Sequence, residues 1–103
     1  MYLFSRGQVY WADIGTGRKP YLVVSNNARH RQLGTALVVR VATMRKPDLD
    51  TMVTLGPSEP LAGSVLCDDT TVLYADDQVE PVGALSPETM LRVNAALGVA
   101  LPI

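Results

Sequence analysis

The sequence is poor in the residues that most often form metal sites or disulfide frameworks. Among its 103 residues, Cys67 is the only cysteine and His30 the only histidine. A lone cysteine cannot form an internal disulfide, and no pair of cysteines or histidines has the spacing of zinc ligands. We therefore expect Cys67 to be a small buried hydrophobe. A reaction that needs two histidines from one chain is excluded.

Long apolar runs are also absent. No run approaches the roughly 18 residues that cross a bilayer, and Met1–Arg6 lack the basic start and apolar stretch of a signal peptide. An apolar content of 48% fits one compact domain with a modest core. These features predict a single cytoplasmic domain over residues 1–103.

Negative charge is missing from one segment of the chain. Seven of the nine Lys and Arg residues lie between Arg18 and Lys46, where there is no Asp or Glu, whereas residues 47–103 hold nine of the ten acids. The net charge of -1 conceals this asymmetry. A local basic patch concentrates phosphate and releases counterions on binding, and it therefore predicts a groove for RNA or DNA.

Short runs of β-branched and aromatic residues, separated by Gly and Pro, predict a mostly β domain. The expected strands are Gln8–Ala12, Tyr21–Val24, Thr35–Ala42, Met52–Leu55, Ser64–Cys67 and Thr70–Tyr74. The polar and basic segment Asn26–Gly34 is predicted to be a connection. Close strand spacing indicates a small, strongly curved sheet or a partly open barrel, with Thr35–Ala42 near its centre.

A C-terminal helix is the best-marked element. Ser86 is a good N-cap residue, Pro87 suits the first helical position, and Glu88 favours the positive end of the helix dipole. The apolar residues that follow recur at spacings of three and four: Met90, Val93, Leu97 and Leu101. This face of the helix is expected to pack on the sheet.

The basic segment supplies several candidate phosphate contacts. They are Arg18, Lys19, Arg29, His30, Arg31, Arg40, Arg45 and Lys46. Arg18 and Lys19 precede Pro20 at the entrance to a strand, and they form either a phosphate clamp or a solvated turn. Arg40 lies either in a groove or on an ordinary solvent-exposed face of the sheet. We expect His30 to be a phosphate contact or a loop residue, with its pKa lowered by the flanking arginines.

Hydroxyl and aromatic side chains leave more than one interpretation open. Thr43 closes a predicted strand beside two cations, where its hydroxyl contacts a ligand or satisfies a nearby backbone group. Four aromatic residues either stack on single-stranded bases or pack in the core. They are Tyr10, Trp11, Tyr21 and Tyr74.

Two acidic pairs, Asp68–Asp69 and Asp76–Asp77, are the remaining candidates for chemistry. Hard cations prefer oxygen ligands, but neighbouring residues in a strand point to opposite faces. Turn or surface roles therefore fit these acids better than a metal site. We expect no metal and no cofactor.

Five segments resemble the MazF/PemK toxin family in order and spacing. They are Arg6–Asp13 (RGQVYWAD), Lys19–Asn26 (KPYLVVSN), Val41–Thr43 (VAT), Gly63–Asp69 (GSVLCDD) and Gly83–Leu97. Together they extend over nearly the whole chain. The chain differs from the usual pattern at Lys19, where arginine is common, and in the short loop Ile14–Gly17.

The resemblance implies a curved antiparallel sheet of the SH3-like barrel type, shared with CcdB, and a homodimer. It also implies a translation-inhibiting toxin that cleaves single-stranded RNA selectively by sequence and without a metal. Attack by the ribose 2'-OH would leave a 2',3'-cyclic phosphate and a 5'-OH. The resemblance places Lys19 and Thr43 at positions that act on the scissile phosphate, and implies neutralisation by an antitoxin with an acidic segment.

Two other functions remain open from the sequence. A gyrase poison like CcdB would share the fold without RNA chemistry, but that family relies on a tryptophan-containing C-terminus, whereas this chain ends in Leu101-Pro102-Ile103. A catalytically inactive RNA-binding domain would keep the basic patch. Substitution of Lys19 or Thr43 separates these functions, because only an enzyme would lose cleavage.

Overall fold

The computed structural model describes residues 4–43, 49–74 and 77–101. Within these residues there are six strands and two helices. The strands are β1 (Gln8–Asp13), β2 (Arg18–Val23), β3 (Thr35–Ala42), β4 (Met52–Thr54), β5 (Ser64–Tyr74) and β6 (Val79–Ala84). The helices are α1 (Asn27–Leu33) and α2 (Pro87–Ala100). Neither is long and apolar enough to span a membrane.

All six described strands form one sheet in the order β4-β5-β3-β2-β1-β6. Every pairing between neighbours is antiparallel. The sheet is not closed, since β4 and β6 form its edges. The predictions of a mostly β fold, a C-terminal helix and an interior third strand are confirmed.

Two hydrophobic cores follow from the alternation of side chains along the strands. The first core includes residues of α2, and we call it the helix core. Leu22 belongs to the helix core, while its neighbours Tyr21 and Val23 belong to the second core. The helix core contains Val9, Leu22, Val39, Val41, Val53, Leu55, Val65, Cys67, Leu85, Val93 and Ala96. The second core contains Phe4, Tyr10, Ala12, Tyr21, Val23, Ala36, Val38 and Leu73. The central strands are therefore buried on both faces.

Cys67 is fully buried in the helix core, as predicted. Burial of the thiol, followed by the neighbouring negative charge of Asp68, raises the pKa of Cys67 to about 11. The thiol is therefore uncharged near neutral pH, and it acts as a packing group rather than as a nucleophile.

The terminal helix α2 begins as the sequence predicts. The Ser86 side chain accepts a hydrogen bond from the Thr89 backbone N–H, and Pro87 occupies the first helical turn. Val93 is buried in the helix core, against which Met90 and Leu97 also pack. The prediction for the fourth apolar position was wrong: Leu101 follows the helix and is 54% exposed.

Helix α1 replaces the predicted connection over Asn26–Gly34, which was therefore a wrong assignment. The Asn26 side chain caps the helix by accepting from the Arg29 backbone N–H, and Gly34 ends it with a φ of 65°. These two capping residues are recognisable in the sequence. The helix was missed because His30 is its only buried residue, so that it has no apolar periodicity.

Strand β5 is one continuous strand where two were predicted. Its register with β3 shifts in the middle: Val39 pairs with Thr70, whereas Arg40 pairs with Leu66. Residues 67–69 therefore form a bulge opposite the Val39–Arg40 link.

Strand β6 was not predicted at all. It contains Pro81 and Gly83, which weaken a strand pattern in the sequence. Proline is tolerated here because β6 lies at the edge of the sheet, where a backbone N–H on the outer side needs no strand partner.

Candidate functional site

Lys19 and Arg40 lie together at a cavity of about 430 Å³. Tyr21 pairs directly with Arg40 across β2 and β3, and Lys19 lies two residues before Tyr21, so all three share one face of the sheet. We call this cavity the Lys19 pocket. It is lined by Ile14, Thr16, Lys19, Tyr21, Arg40, Asp69, Thr70 and Thr71.

The guanidinium of Arg40 is held in this pocket with unused hydrogen-bonding capacity. Its Nε atom is buried and has no hydrogen-bond partner among the described residues. An unpaired buried donor costs about 1 to 3 kcal/mol. Arg40 thus lies at a pocket rather than on an ordinary solvent-exposed face. Its guanidinium group can bind an anion such as phosphate.

Arg18 lies apart from the Lys19 pocket, although it is adjacent to Lys19 in the chain. It forms an ion pair with Glu80, and its guanidinium carbon is 5.3 Å from the centroid of the Trp11 ring. These residues line a separate cavity of about 600 Å³. Because successive strand residues point to opposite faces, Arg18 and Lys19 do not form a joint clamp.

Arg29 and Arg31 lie beyond the far end of β2 from Lys19, because both belong to α1. Arg29 Nη2 donates a hydrogen bond of 3.2 Å to Thr35 Oγ1, and Arg31 is exposed. The basic segment of the sequence therefore divides among different parts of the structure instead of forming one continuous patch within the described residues.

His30 is part of the protein interior, with 2% of its surface exposed. Its Nδ1 lies 2.9 Å from the Phe4 carbonyl oxygen, and its Nε2 lies 2.7 Å from Ser25 Oγ. A carbonyl only accepts, so Nδ1 donates to it and Nε2 accepts from the Ser25 hydroxyl. The expectation of a loop residue or phosphate contact does not fit this buried position.

The pKa of His30 is lowered, as predicted from its neighbours, but burial is the largest cause. The positive charges of Arg29 and Arg31 lower it further, while the bond to the Phe4 carbonyl opposes the shift. The neutral ring is therefore the stable form inside the protein.

Thr43 lies just past β3 and is exposed. It lines a cavity of about 390 Å³ with Thr54, Leu55, Ala62 and Gly63, and it does not line the Lys19 pocket. Arg45 and Lys46, the other cations expected beside Thr43, lie outside the described residues.

The four candidate aromatic residues separate into two pairs. Tyr10 and Tyr21 are buried in the second core. Trp11 is half-buried, and Tyr74 is 53% exposed. Of the four, Trp11 and Tyr74 therefore keep ring surface on which a base could stack.

The acidic pair in the β5 bulge divides between two environments. Asp68 Oδ2 accepts a 3.3 Å hydrogen bond from Thr51 Oγ1, whereas Asp69 lines the Lys19 pocket. The sequence pattern did not distinguish Asp69 from Asp68, because the bulge that places Asp69 at the Lys19 pocket cannot be recognised from the sequence. In the second pair, Asp77 Oδ2 accepts from the Tyr74 backbone N–H, and Asp76 lies outside the described residues.

Solved structures define the class of protein by its fold, which this chain shares with an endoribonuclease. An endoribonuclease from a mycobacterial species, solved in complex with its cognate antitoxin, is 42% identical with a TM-score of 0.92, covering 97% of this chain and 96% of that chain. The MazE–MazF structure from Deinococcus radiodurans has a TM-score of 0.86 at 24% identity, covering 100% and 99% of the two chains, and so shares the fold.

Sequence comparison defines the family. Endoribonuclease MazF4 of Mycobacterium tuberculosis is 45% identical over 96 residues, which cover 93% of this chain and 90% of that protein. The profile described as PemK-like, MazF-like toxin of type II toxin–antitoxin systems matches residues 5–101. The chain belongs to this family.

Proposed function

We propose that this chain is an endoribonuclease toxin that cleaves single-stranded RNA. Family membership and 45% identity to an endoribonuclease support this activity. In the proposed reaction, the ribose 2'-OH attacks the adjacent phosphorus without a metal ion and leaves a 2',3'-cyclic phosphate and a 5'-OH. DNA lacks this nucleophile and would stay intact.

The observation that carries the proposal is the meeting of Lys19 and Arg40 at one pocket. Attack on phosphorus builds negative charge on the phosphate oxygens, and cations already held in place stabilise that charge. Among the described residues, neither cation forms an ion pair that would neutralise it. Lys19 would stabilise the reacting phosphate, and Arg40 would hold the backbone beside it.

Thr43 would add a hydroxyl at the end of β3. In the proposed mechanism its Oγ1 donates to a phosphate oxygen and fixes the position of that oxygen. Because Thr43 and Lys19 line different cavities, RNA contacting both would pass over the end of β3. Arg45 and Lys46 follow Thr43 in the sequence and would contact the flanking phosphates.

We further propose an antitoxin and a second copy of this chain as its partners. The mycobacterial relative at 42% identity was solved with its cognate antitoxin, which supports a similar complex here. An acidic antitoxin segment would occupy the cationic Lys19 pocket and exclude RNA from it. By this arrangement, the toxin would inhibit translation only when the antitoxin is removed.

The experiment is cleavage of mixed-sequence single-stranded RNA and matched DNA in the presence of EDTA, with sequencing of all ends. We expect cuts in RNA alone, at a restricted set of sequences, with 5'-OH ends. Lys19→Ala and Thr43→Val should lose cleavage, whereas Thr43→Ser should retain much of it because the hydroxyl remains.

Arg92→Ala is the matched control, since it removes an exposed cation on α2 away from the Lys19 pocket. It should cleave like the unaltered protein. Tight RNA binding with intact product would instead support a binding-only domain. Inhibition of gyrase with intact RNA would support a poison of the CcdB type.

A further inference from the structure

The Lys19 pocket contains one carboxylate among its eight lining residues, that of Asp69. Two cations, Lys19 and Arg40, line the same pocket. A reaction at phosphorus needs a group that takes a proton from the attacking hydroxyl as well as groups that stabilise charge. The pocket therefore brings together both kinds of group.

The bulge in β5 is what turns Asp69 into this pocket. Before the bulge, Val65 and Cys67 face the helix core; after it, Leu73 faces the second core. Residues 67–69 have no pairing partner in β3. The side chains at odd-numbered positions of β5 therefore lie on one face of the sheet before these residues and on the other face after them. Bulges re-aim side chains in this way and are frequent beside active sites.

Asp69 is exposed, and its carboxylate has no hydrogen bond or ion pair within the described part of the chain. Its neighbour Asp68 differs, because Asp68 accepts a hydrogen bond from Thr51. A carboxylate without a partner keeps its oxygens available to accept a proton or a hydrogen bond from a ligand.

Three other candidate side chains among the described residues do not fill this role. His30 is buried, and both its ring nitrogens have partners in the protein. Lys19 is an ammonium group without a free acceptor. Thr43 lines a different cavity.

We propose that Asp69 is the catalytic residue that accepts the proton of the 2'-OH. This inference rests on the proposed function. As the O–H bond breaks, its proton goes to an Asp69 carboxylate oxygen, and the 2'-oxygen forms its bond to phosphorus. The bond from phosphorus to the 5'-oxygen breaks, and that oxygen takes a proton from the Lys19 ammonium group. Water then returns a proton to Lys19 and removes one from Asp69.

The test compares Asp69→Asn with Asp68→Asn, which removes the same charge from the adjacent position. Single-turnover cleavage is measured on an RNA that contains a mapped cut site. Asp69→Asn should lower the rate by roughly 10²- to 10⁴-fold, the range for loss of a general base. Asp68→Asn should cleave close to the unaltered rate, because Asp68 does not line the pocket.

Binding is measured on the same RNA with a 2'-deoxy nucleotide at the cut site, which cannot react. Asp69→Asn should bind this RNA at least as tightly as the unaltered protein, because a negative charge is removed from the RNA site. A loss of binding that matches the loss of rate would overturn the proposed role.

A second substrate separates proton acceptance from proton donation. Replacing the bridging 5'-oxygen at the cut site by sulfur creates a leaving group that needs no proton. This RNA should restore the part of the Lys19→Ala loss that comes from proton donation, but none of the rate of Asp69→Asn. Equal recovery by Asp69→Asn would place Asp69 on the leaving-group side and overturn the proposal.

The outcomes also distinguish this inference from the function on which it rests. If the unaltered protein leaves all RNA intact, both are overturned. If the unaltered protein cleaves RNA and Asp69→Asn cleaves equally fast, only the role of Asp69 is overturned. An equal loss in Asp68→Asn and Asp69→Asn would likewise overturn it, since the charge of the bulge would then matter rather than the position of Asp69.

Discussion

The guanidinium carbon of Arg18 lies 5.3 Å from the centre of the Trp11 ring, while the next residue, Lys19, lines a different cavity with Arg40. The pair that looks like one cationic unit in the sequence is therefore divided between the two faces of β2. Arg18 is held by Trp11 and Glu80. Lys19 has no such partner among the residues that the structure describes.

This division predicts different kinetic effects for the two cations. Lys19→Ala should lower kcat by roughly 10²- to 10³-fold, because it removes a group that stabilises the transition state and donates a proton to the leaving oxygen. Arg18→Ala should leave kcat almost unchanged, because Arg18 lines a different cavity from Lys19. A rise in KM would identify Arg18 as an RNA contact made equally in the ground state. Steady-state cleavage of one RNA by both variants measures the difference, and equal losses of kcat would contradict it.

The buried His30 should contribute strongly to stability. His30→Ala leaves the Phe4 carbonyl and the Ser25 hydroxyl without their ring partner, and it opens a cavity. We expect the free energy of unfolding to fall by about 2 to 4 kcal/mol. Urea unfolding measures this change. Gln32→Ala, an exposed position on the same helix, should change it by less than about 0.5 kcal/mol.

His30 also makes stability depend on pH in a defined direction. Its pKa is lowered in the folded protein, whereas in the unfolded chain it is about 6.5. Between these values the unfolded state binds more protons, so stability rises with pH. The contribution is fully present above about pH 6.5 and is lost as pH falls through the folded pKa.

Unfolding free energies measured from about pH 7.5 down to pH 5.5 test this dependence around the unfolded pKa. The unaltered protein should lose stability on acidification by at most about 1.4 kcal/mol per pH unit from this group. His30→Gln removes the titrating ring and should remove that part of the slope. A slope that is the same in both proteins would assign the effect to other groups.

Gly63 should tolerate no side chain. Its φ is +133°, and a Cβ atom there would overlap the carbonyl oxygen of Ala42. Gly63→Ala should therefore destabilise the protein by more than about 2 kcal/mol. Gly98→Ala is the matched control, because Gly98 lies within α2 with open space around it.

Thermal or urea unfolding compares the two alanine variants. Gly98→Ala should stabilise the protein by about 0.5 to 1 kcal/mol, since alanine favours a helix over glycine. A mild effect at Gly63 would mean that Ala42 and the end of β3 shift easily. In that case the position of Thr43, which directly follows Ala42, would be less firmly fixed.

The sequence predicted those elements whose local signals agree with their tertiary environment. Strand β3 was predicted with the same bounds that it has in the structure, Thr35–Ala42, because its apolar run is buried on both faces. The start of α2 followed from Ser86 and Pro87. Helix α1 was missed because its stability depends on two caps and one buried ring rather than on an apolar stripe.

The candidate site was predicted less completely than the fold. Lys19 and Arg40 could be proposed from charge and family resemblance, but their shared pocket depends on the register of β2 with β3. Asp69 depends on a register shift between β3 and β5. Such shifts are set by long-range pairing, and a local window of sequence does not contain them.

Strand β5 contributes to both hydrophobic cores, since Cys67 is buried in one and Leu73 in the other. Neither core can lose this strand without weakening the other, so the two should melt together in one cooperative transition. The same arrangement limits how the chain can vary. Deleting a single residue from the bulge would turn the rest of β5 over and exchange its buried and exposed side chains.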